Sequence, residues 1–80
     1  MSVTDLLKKK VKACYGLVEF TYRGKYGNID PYFHKDGTYS YLLYFDGFEK
    51  TVYSIEDVMN TPFVCGKSLN DLKEAVRMLD

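Results

Sequence analysis

The side chains that most often carry out chemistry are few in this chain of 80 residues. His34 is the one histidine, and the two cysteines, Cys14 and Cys65, lie far apart in the sequence. A zinc site needs several Cys or His ligands at short spacings, so the sequence predicts no metal site. A Cys–His nucleophilic pair would need a cysteine beside His34, and Cys14 falls on an apolar helix stripe where a thiol is inert.

Gly66-Lys67-Ser68 resembles the end of a phosphate-binding loop. That motif needs a glycine where this chain has Thr61, and Pro62 falls inside the loop. A turn at Gly66 and a helix cap at Ser68 explain the same residues, so we predict no cofactor. Glu56 and Asp57 fall in the first turn of a predicted helix, where acids complement the helix dipole. The sequence therefore predicts a protein that is not an enzyme.

Composition indicates one small folded domain over residues 1–80. The chain is 46% hydrophobic and 16% aromatic, with eight Tyr, five Phe and no Trp. Its formal net charge is zero, which argues against a dedicated nucleic-acid-binding protein, because such proteins meet phosphates with basic side chains. No stretch approaches the roughly 20 apolar residues of a membrane span, and residues 1–12 lack the apolar run of a signal peptide. We expect a cytoplasmic protein with two buried or idle thiols and no membrane partner, with a single Cys14–Cys65 bridge as the alternative.

The clearest structural signal is a β-hairpin over residues 39–54 that turns at Asp46-Gly47. Asp-Gly suits a two-residue type I′ turn, in which both central residues have positive φ. This register pairs Phe45 with Phe48 and Leu43 with Lys50 on one face, which is the more apolar face and the predicted core. Tyr44 then pairs with Glu49 on the second face.

A second Asp-Gly pair, Asp36-Gly37, predicts another two-residue hairpin. That register places Tyr32 and His34 on the first face and Phe33 on the second. The second face is then too aromatic for an ordinary solvated surface. We predict an interaction surface formed by its four large side chains, Phe33, Leu42, Tyr44 and Tyr53.

Helical patterns flank these strands. Residues 3–13 carry an apolar stripe of Val3, Leu6, Leu7, Val11 and Cys14, with a Ser2–Asp5 cap. Residues 17–23 alternate as a strand. Ser54 caps a short helix to about Met59, and Ser68 caps a last helix whose stripe is Leu69, Leu72, Val76 and Leu79. Between these helices, Phe63-Val64-Cys65 forms either a β segment or a core plug.

The predicted fold class is therefore α+β, in the order α-β-β-β-β-α-α. It has an antiparallel three- to four-stranded meander with an N-terminal helix, a short helix and a C-terminal helix packed on the sheet. The sequence leaves open whether the helices cover one sheet face or both. If they cover both, the predicted surface is core.

Residues 26–31 read as a loop or a bulge, with the strand itself at about residues 32–35, because Gly27-Asn28 and Asp30-Pro31 are both turn signals and Pro cannot donate a ladder hydrogen bond. Loops carry function more often than cores do. Any functional loop is expected here, at Tyr26, Gly27, Asn28 and Asp30; a structural crossover without a partner is the alternative.

The sequence thus predicts a small protein-interaction module that binds another protein or itself, as a homodimer through the aromatic face. The alternative is weak binding of single-stranded nucleic acid. In that case bases would stack on exposed Tyr, and phosphates would meet a basic patch. The patch would comprise Lys8, Lys9, Lys10, Lys12, Arg23 and Lys25, although the Lys run also suits the solvated face and C-terminal end of a helix.

Overall fold

A computed structural model describes residues 3–13 and 16–79. The elements are helix α1 (Val3–Ala13), strands β1 (Val18–Tyr22), β2 (Lys25–Phe33), β3 (Tyr39–Phe45) and β4 (Phe48–Val52), helices α2 (Ile55–Asn60) and α3 (Leu69–Leu72), a 3-10 turn (Lys73–Ala75) and strand β5 (Arg77–Leu79). The strands form one antiparallel sheet in the order β4-β3-β2-β1-β5. The predicted α+β meander is confirmed, with a fifth strand added.

All three helices pack on the same face of the sheet. Leu7 and Val11 of α1, and Val58 of α2, are fully buried in one cluster with the inward-facing strand residues. Leu69 and Leu72 of α3 join that cluster. Among the described residues, no helix packs on the other face. The possibility that both faces are covered is therefore excluded for this part of the chain.

The β3–β4 hairpin forms as predicted. Phe45 pairs with Phe48 around Asp46-Gly47, whose φ angles are +48° and +92°. The β1–β2 hairpin uses the same geometry at Arg23-Gly24, with φ angles of +52° and +77°. Positive φ at both turn residues is the requirement of a type I′ turn.

The predicted register of the β2–β3 hairpin is wrong by one residue. The structure pairs Phe33 with Tyr39, because the connection around Asp36-Gly37 is a three-residue loop closed by His34 and Thr38. Gly37 has φ +89°, as expected where a type I turn ends in a left-handed residue. Asp36 Oδ1 accepts hydrogen bonds from the Thr38 amide and hydroxyl, which stabilise this longer loop.

The predicted loop or bulge at residues 26–31 is also wrong, because β2 runs through these residues and pairs one to one with β3. Pro31 is tolerated because β1 pairs only with the part of β2 up to Ile29. Beyond that point β2 has β3 on one side and no strand on the other, so a residue without an N–H removes no ladder bond there.

The C-terminal helix is shorter than predicted. Ser68 does cap it, and its hydroxyl accepts from the Asp71 amide while Asp71 Oδ2 accepts from the Ser68 amide. However, α3 ends at Leu72, where Lys73 adopts φ +51°. Val76 and Met78 then alternate inward as the chain pairs with β1, so the period is two rather than 3.6. Leu79 is exposed.

The cap of α2 and the apolar run at residues 63–65 lie within the described residues, whereas the predicted cap of α1 does not. Ser54 caps α2 by accepting from the Asp57 amide. Phe63 and Val64 are buried, which confirms the core plug, whereas Cys65 is exposed. The predicted Ser2 cap and the buried position of Cys14 lie outside the described residues.

At Gly27, aromatic rings from the two neighbouring strands lie over the central strand β2 on the face that the helices cover. A Cβ there would lie 2.5 Å from Cζ of Phe20 and 2.9 Å from Cδ1 of Phe45. Those two rings come from the neighbouring strands and stack with their centroids 6.2 Å apart and their planes 5° apart. Phe63 meets Phe20 edge-on at 6.1 Å. Because Gly27 has no side chain, the ring of Phe20 from β1 and the ring of Phe45 from β3 can pack directly over β2.

Gly27→Ala should lower the free energy of unfolding by about 2 kcal/mol, because the added methyl group overpacks the two rings. Urea denaturation followed by circular dichroism measures this. Thr51→Ala, at an exposed strand position, should change stability by less than about 0.5 kcal/mol. Equal stability of the Gly27→Ala variant and the parent would contradict the role given to Gly27.

Candidate interaction surface

The sheet face opposite the helices is the candidate site, and we call it the open face. Side chains alternate along each strand, so the registers define which residues share this face. In the central strands β2 and β3, every second residue points away from the buried cluster. The large or charged members of the open face are Glu19, Tyr26, Asn28, Asp30, Tyr32, Leu42, Tyr44, Glu49, Arg77 and Leu79, with Tyr53 just after β4.

Three of the four residues predicted for the interaction surface lie together on the open face. Leu42 and Tyr44 project from β3, and Tyr53 is 72% exposed beside the end of that strand. Phe33 does not join them, because the one-residue change in register turns it to the helix side. It is 60% exposed there, with its ring 5.0 Å from that of Tyr39.

The residues of the predicted functional loop divide between the two faces. Tyr26, Asn28 and Asp30 lie on the open face in mid-strand, while Gly27 lies in the core. The sequence therefore indicates three residues of the candidate surface for the wrong structural reason. The prediction missed Tyr32, which is 64% exposed. The alternation of Tyr26, Asn28, Asp30 and Tyr32 was the available signal, and the intervening Gly27 and Pro31 obscured it.

A hydrogen-bonded cluster occupies the middle of the open face. The hydroxyl of Tyr26 donates to Glu19 Oε2 at 2.6 Å and accepts from Asn28 Nδ2 at 3.2 Å. The Tyr26 ring lies 6.2 Å from that of Tyr44. These contacts fix the Tyr26 ring, so binding over it needs little further ordering of the side chain.

The most exposed rings, those of Tyr32 and Tyr53, lie at the end of the open face nearest the β2–β3 loop. Tyr32 on β2 pairs with Ser40 on β3, and Tyr53 directly follows β4 at the same end of the sheet. His34 follows β2, packs its ring 4.9 Å from that of Tyr32 and lies 2.8 Å from the Ser40 hydroxyl through Nε2. His34 is therefore a structural residue of this hairpin.

The charged side chains of the open face are mainly acidic. Among the described residues, Glu19, Asp30 and Glu49 lie on it together with one cation, Arg77. Asp30 and Glu49 are exposed and form no ion pair with any described residue. The face therefore combines tyrosine rings with an excess of negative charge.

The residues of the predicted basic patch are not brought together. Lys8, Lys9, Lys10 and Lys12 lie on α1, behind the sheet as seen from the open face. Arg23 lies in the β1–β2 turn, and Lys25 is the first residue of β2. There the Arg23 guanidinium stacks over the Tyr22 ring at 5.3 Å, and Lys25 forms a 3.0 Å ion pair with Asp46. No single ligand lying on the tyrosines meets all six cations.

A shallow apolar cleft of about 390 Å³ lies on the helix side, between the β3–β4 turn and the residues after α2. Phe48, Pro62 and Phe63 form its walls, and Cys65 lies at its rim. Gly66-Lys67-Ser68 here makes a tight turn closed by a Val64–Lys67 bridge and then caps α3. These residues have the structural role that the sequence favoured over phosphate binding.

Among the described residues, no group of three or more His, Cys, Asp or Glu side chains is placed to hold a metal ion. None of the described helices has the length and apolar character needed to cross a membrane.

Comparison of the chain with protein-family models, with curated proteins and with solved structures found no match in any of the three.

The Tyr26–Glu19 bond gives the open face a measurable titration. The hydrogen bond to Glu19 raises the pKa of the Tyr26 phenol above its usual value near 10, because ionisation would remove the donated proton. The stability that this bond contributes is therefore complete below about pH 10 and is lost as pH rises through the higher pKa of the folded protein.

Glu19→Gln should lower the Tyr26 pKa towards its usual value, because the carboxylate acceptor is lost. Tyrosinate absorbance, or the Tyr26 ring signals in NMR, followed against pH gives this pKa, and Tyr26→Phe identifies the signal that belongs to residue 26. A Tyr26 titration unchanged in Glu19→Gln would show that the bond does not control this phenol in solution.

Proposed function

We propose that this protein is a non-enzymatic interaction module that binds another protein through its open face. The observation that carries the proposal is the one-sided cover of the sheet, which leaves four tyrosines and Leu42 on the uncovered side. Antiparallel sheets commonly have one face in water, but such a face normally carries polar residues. Tyrosine is enriched at protein interfaces because it combines large area with few rotors and a hydrogen-bonding tip.

The exposed area is large enough to matter. An aromatic side chain buries about 150–250 Å² when it is covered. At 64% and 72% exposure, Tyr32 and Tyr53 together present about 250 Å². A standard interface buries about 800 Å² on each partner, so these two rings supply roughly a third of that area. Leu42, Tyr44 and Tyr26 lie beside them and extend the same surface.

Self-association is included in the proposal, since a second copy is one protein that such a face can bind. A cytoplasmic location is also proposed. It is supported by Cys65, which carries a free and exposed thiol, because exposed thiols persist in reducing compartments.

Nucleic-acid binding is the less supported alternative. Bases can stack on tyrosine, but phosphates approaching the open face would meet Glu19, Asp30 and Glu49. The Lys side chains of α1 lie behind the sheet and cannot offset that repulsion at close range. No contact in the described residues favours this reading over protein binding.

The test of the proposed function compares Tyr44→Asp and Tyr53→Asp with Phe48→Asp. Phe48 is a comparably large and exposed aromatic residue that lies on the helix side, so it serves as a matched control. We expect either open-face substitution to weaken binding at least tenfold, because interface tyrosines are frequent hot spots. The control should bind as the parent does.

Two measurements compare binding by these variants. Light scattering after size exclusion gives the mass of each variant, and affinity capture from the cells that produce the protein identifies the proteins that each variant binds. Only proteins retained by Phe48→Asp and lost by both open-face variants count as ligands of the face. Circular dichroism checks the fold; Tyr53 follows β4, so Tyr53→Asp should remain folded even if Tyr44→Asp does not. Identical masses and identical captured proteins for all folded variants would refute the proposal.

A further inference from the structure

Charge of opposite sign is in excess on two opposite surfaces of this chain, although Asp5 also lies on α1 and Arg77 on the open face. The open face carries Asp30 and Glu49, which form no ion pair with any described residue, together with Glu19. The outer side of α1 carries lysines, because burial of Leu7 and Val11 turns Lys9 and Lys12 outward at 100° per residue. Lys8, Lys9 and Lys12 are exposed and form no ion pair with any described residue. The zero net charge of the chain conceals this separation.

We propose that the occupant of the open face is helix α1 of a second copy of this chain, bound head to tail. This inference rests on the proposed function and names its partner. Each molecule would offer its acidic, tyrosine-rich face to one neighbour and its basic helix to another. Such a contact is heterologous, and it extends into a chain of molecules unless the rotation closes a ring.

The dimensions of the two surfaces match. An α-helix of 11 residues is about 16 Å long. Four neighbouring strands, β4 to β1, span about 14 Å between their axes. One helix therefore covers the central part of the open face, as helices already do on the other side of the sheet.

The side chains also match in chemistry. Tyr44 has Glu49 opposite it on β4 and Asp30 diagonally across on β2. A lysine above the Tyr44 ring would meet the π face and these carboxylates together. Leu6, which is 44% exposed on α1, adds an apolar contact for the ring edges. By contrast, two open faces packed on each other would oppose like charges, which argues against a symmetric face-to-face dimer.

A single helix buries less area than a standard interface, so the association should be weak, with a Kd on the order of 0.1–1 mM. The contact depends on exposed charges, so salt should weaken it further. Sedimentation velocity of the full chain from about 10 µM to about 1 mM, at about 20 mM and about 500 mM NaCl, tests both expectations. The mean mass should rise with concentration at low salt and fall towards that of the monomer at high salt.

Three charge reversals locate the contact. Glu49→Lys changes the open face, Lys9→Glu changes α1, and Glu56→Lys is a matched control at an exposed site on α2. Each of the first two should raise the concentration needed for association by about tenfold, and the control by less than about threefold. An equal mixture of Glu49→Lys and Lys9→Glu should regain association, since each supplies the surface that the other lacks. If Glu49→Lys does not fold, Thr51→Lys on the same face replaces it.

Several results would overturn the inference. They are a monomer at every concentration, an equal effect of Glu56→Lys and Glu49→Lys, or Lys9→Glu behaving like the parent. A parent that stays monomeric yet binds a short oligolysine peptide would give the face to a basic segment of another protein. In each of these cases the proposed function still stands if Tyr53→Asp loses a captured protein that Phe48→Asp retains. The proposed function fails separately, when the tyrosine substitutions change no binding at all.

Discussion

The contact of Phe20 and Phe45 across Gly27 determines how the rest of the molecule is arranged. β2 is the central strand, and a side chain at Gly27 would hold the two rings apart. Without it, the rings meet over the strand and form a flat aromatic layer with Phe63 at its edge. Aromatic rings bury the largest apolar area of any residues, so the helices gain most by packing on this side. The covered face and the open face both follow from this layer.

Because all the described helices pack on one side of the sheet, the other side is left without a covering layer. A domain of this size has little apolar surface to spare, and its sheet could have been buried on both sides only with more helix than the chain provides. α2 and α3 are short, and after Leu72 the chain adds β5 to the edge of the sheet instead of a longer helix. That added strand widens the open face and covers none of it. Tyr26 and Tyr44 remain uncovered because no described element reaches them.

Local turn chemistry made part of this fold predictable from the sequence. Asp46-Gly47 gave the register of β3 and β4 correctly, and the Ser-x-x-Asp pairs at Ser54 and Ser68 located two helix starts. The same dipeptide at Asp36-Gly37 gave a wrong register, because there Asp36 bonds to Thr38 and only Gly37 takes positive φ. One dipeptide is thus compatible with two loop lengths, and the choice depends on the residue that follows.

The remaining errors have tertiary causes that the sequence does not display. Pro31 marks a loop by local rules, but it is tolerated in a strand wherever the neighbouring strand has already ended. The Leu69, Leu72 and Val76 stripe fits a helix, yet Val76 and Met78 also fit a strand, and the free edge of β1 decides between them. The same kind of error affects the candidate site. Because the predicted register at Asp36-Gly37 is wrong by one residue, it assigns Phe33 to the wrong face and leaves out Tyr32.

That single residue of register also determines the chemistry of the open face. With a two-residue loop, every side chain of β2 would have pointed to the opposite face of the sheet. Phe33 would then have paired with Ser40, in the place that Tyr32 occupies now. The observed pairing instead places Asp30 beside Leu42 and Asn28 beside Tyr44. Acidic and tyrosine side chains are therefore interleaved on one surface, while α1 holds its lysines on the other side of the molecule. A neutral chain thereby acquires two surfaces of opposite charge, and the length of one short loop determines which side chains the acidic surface presents.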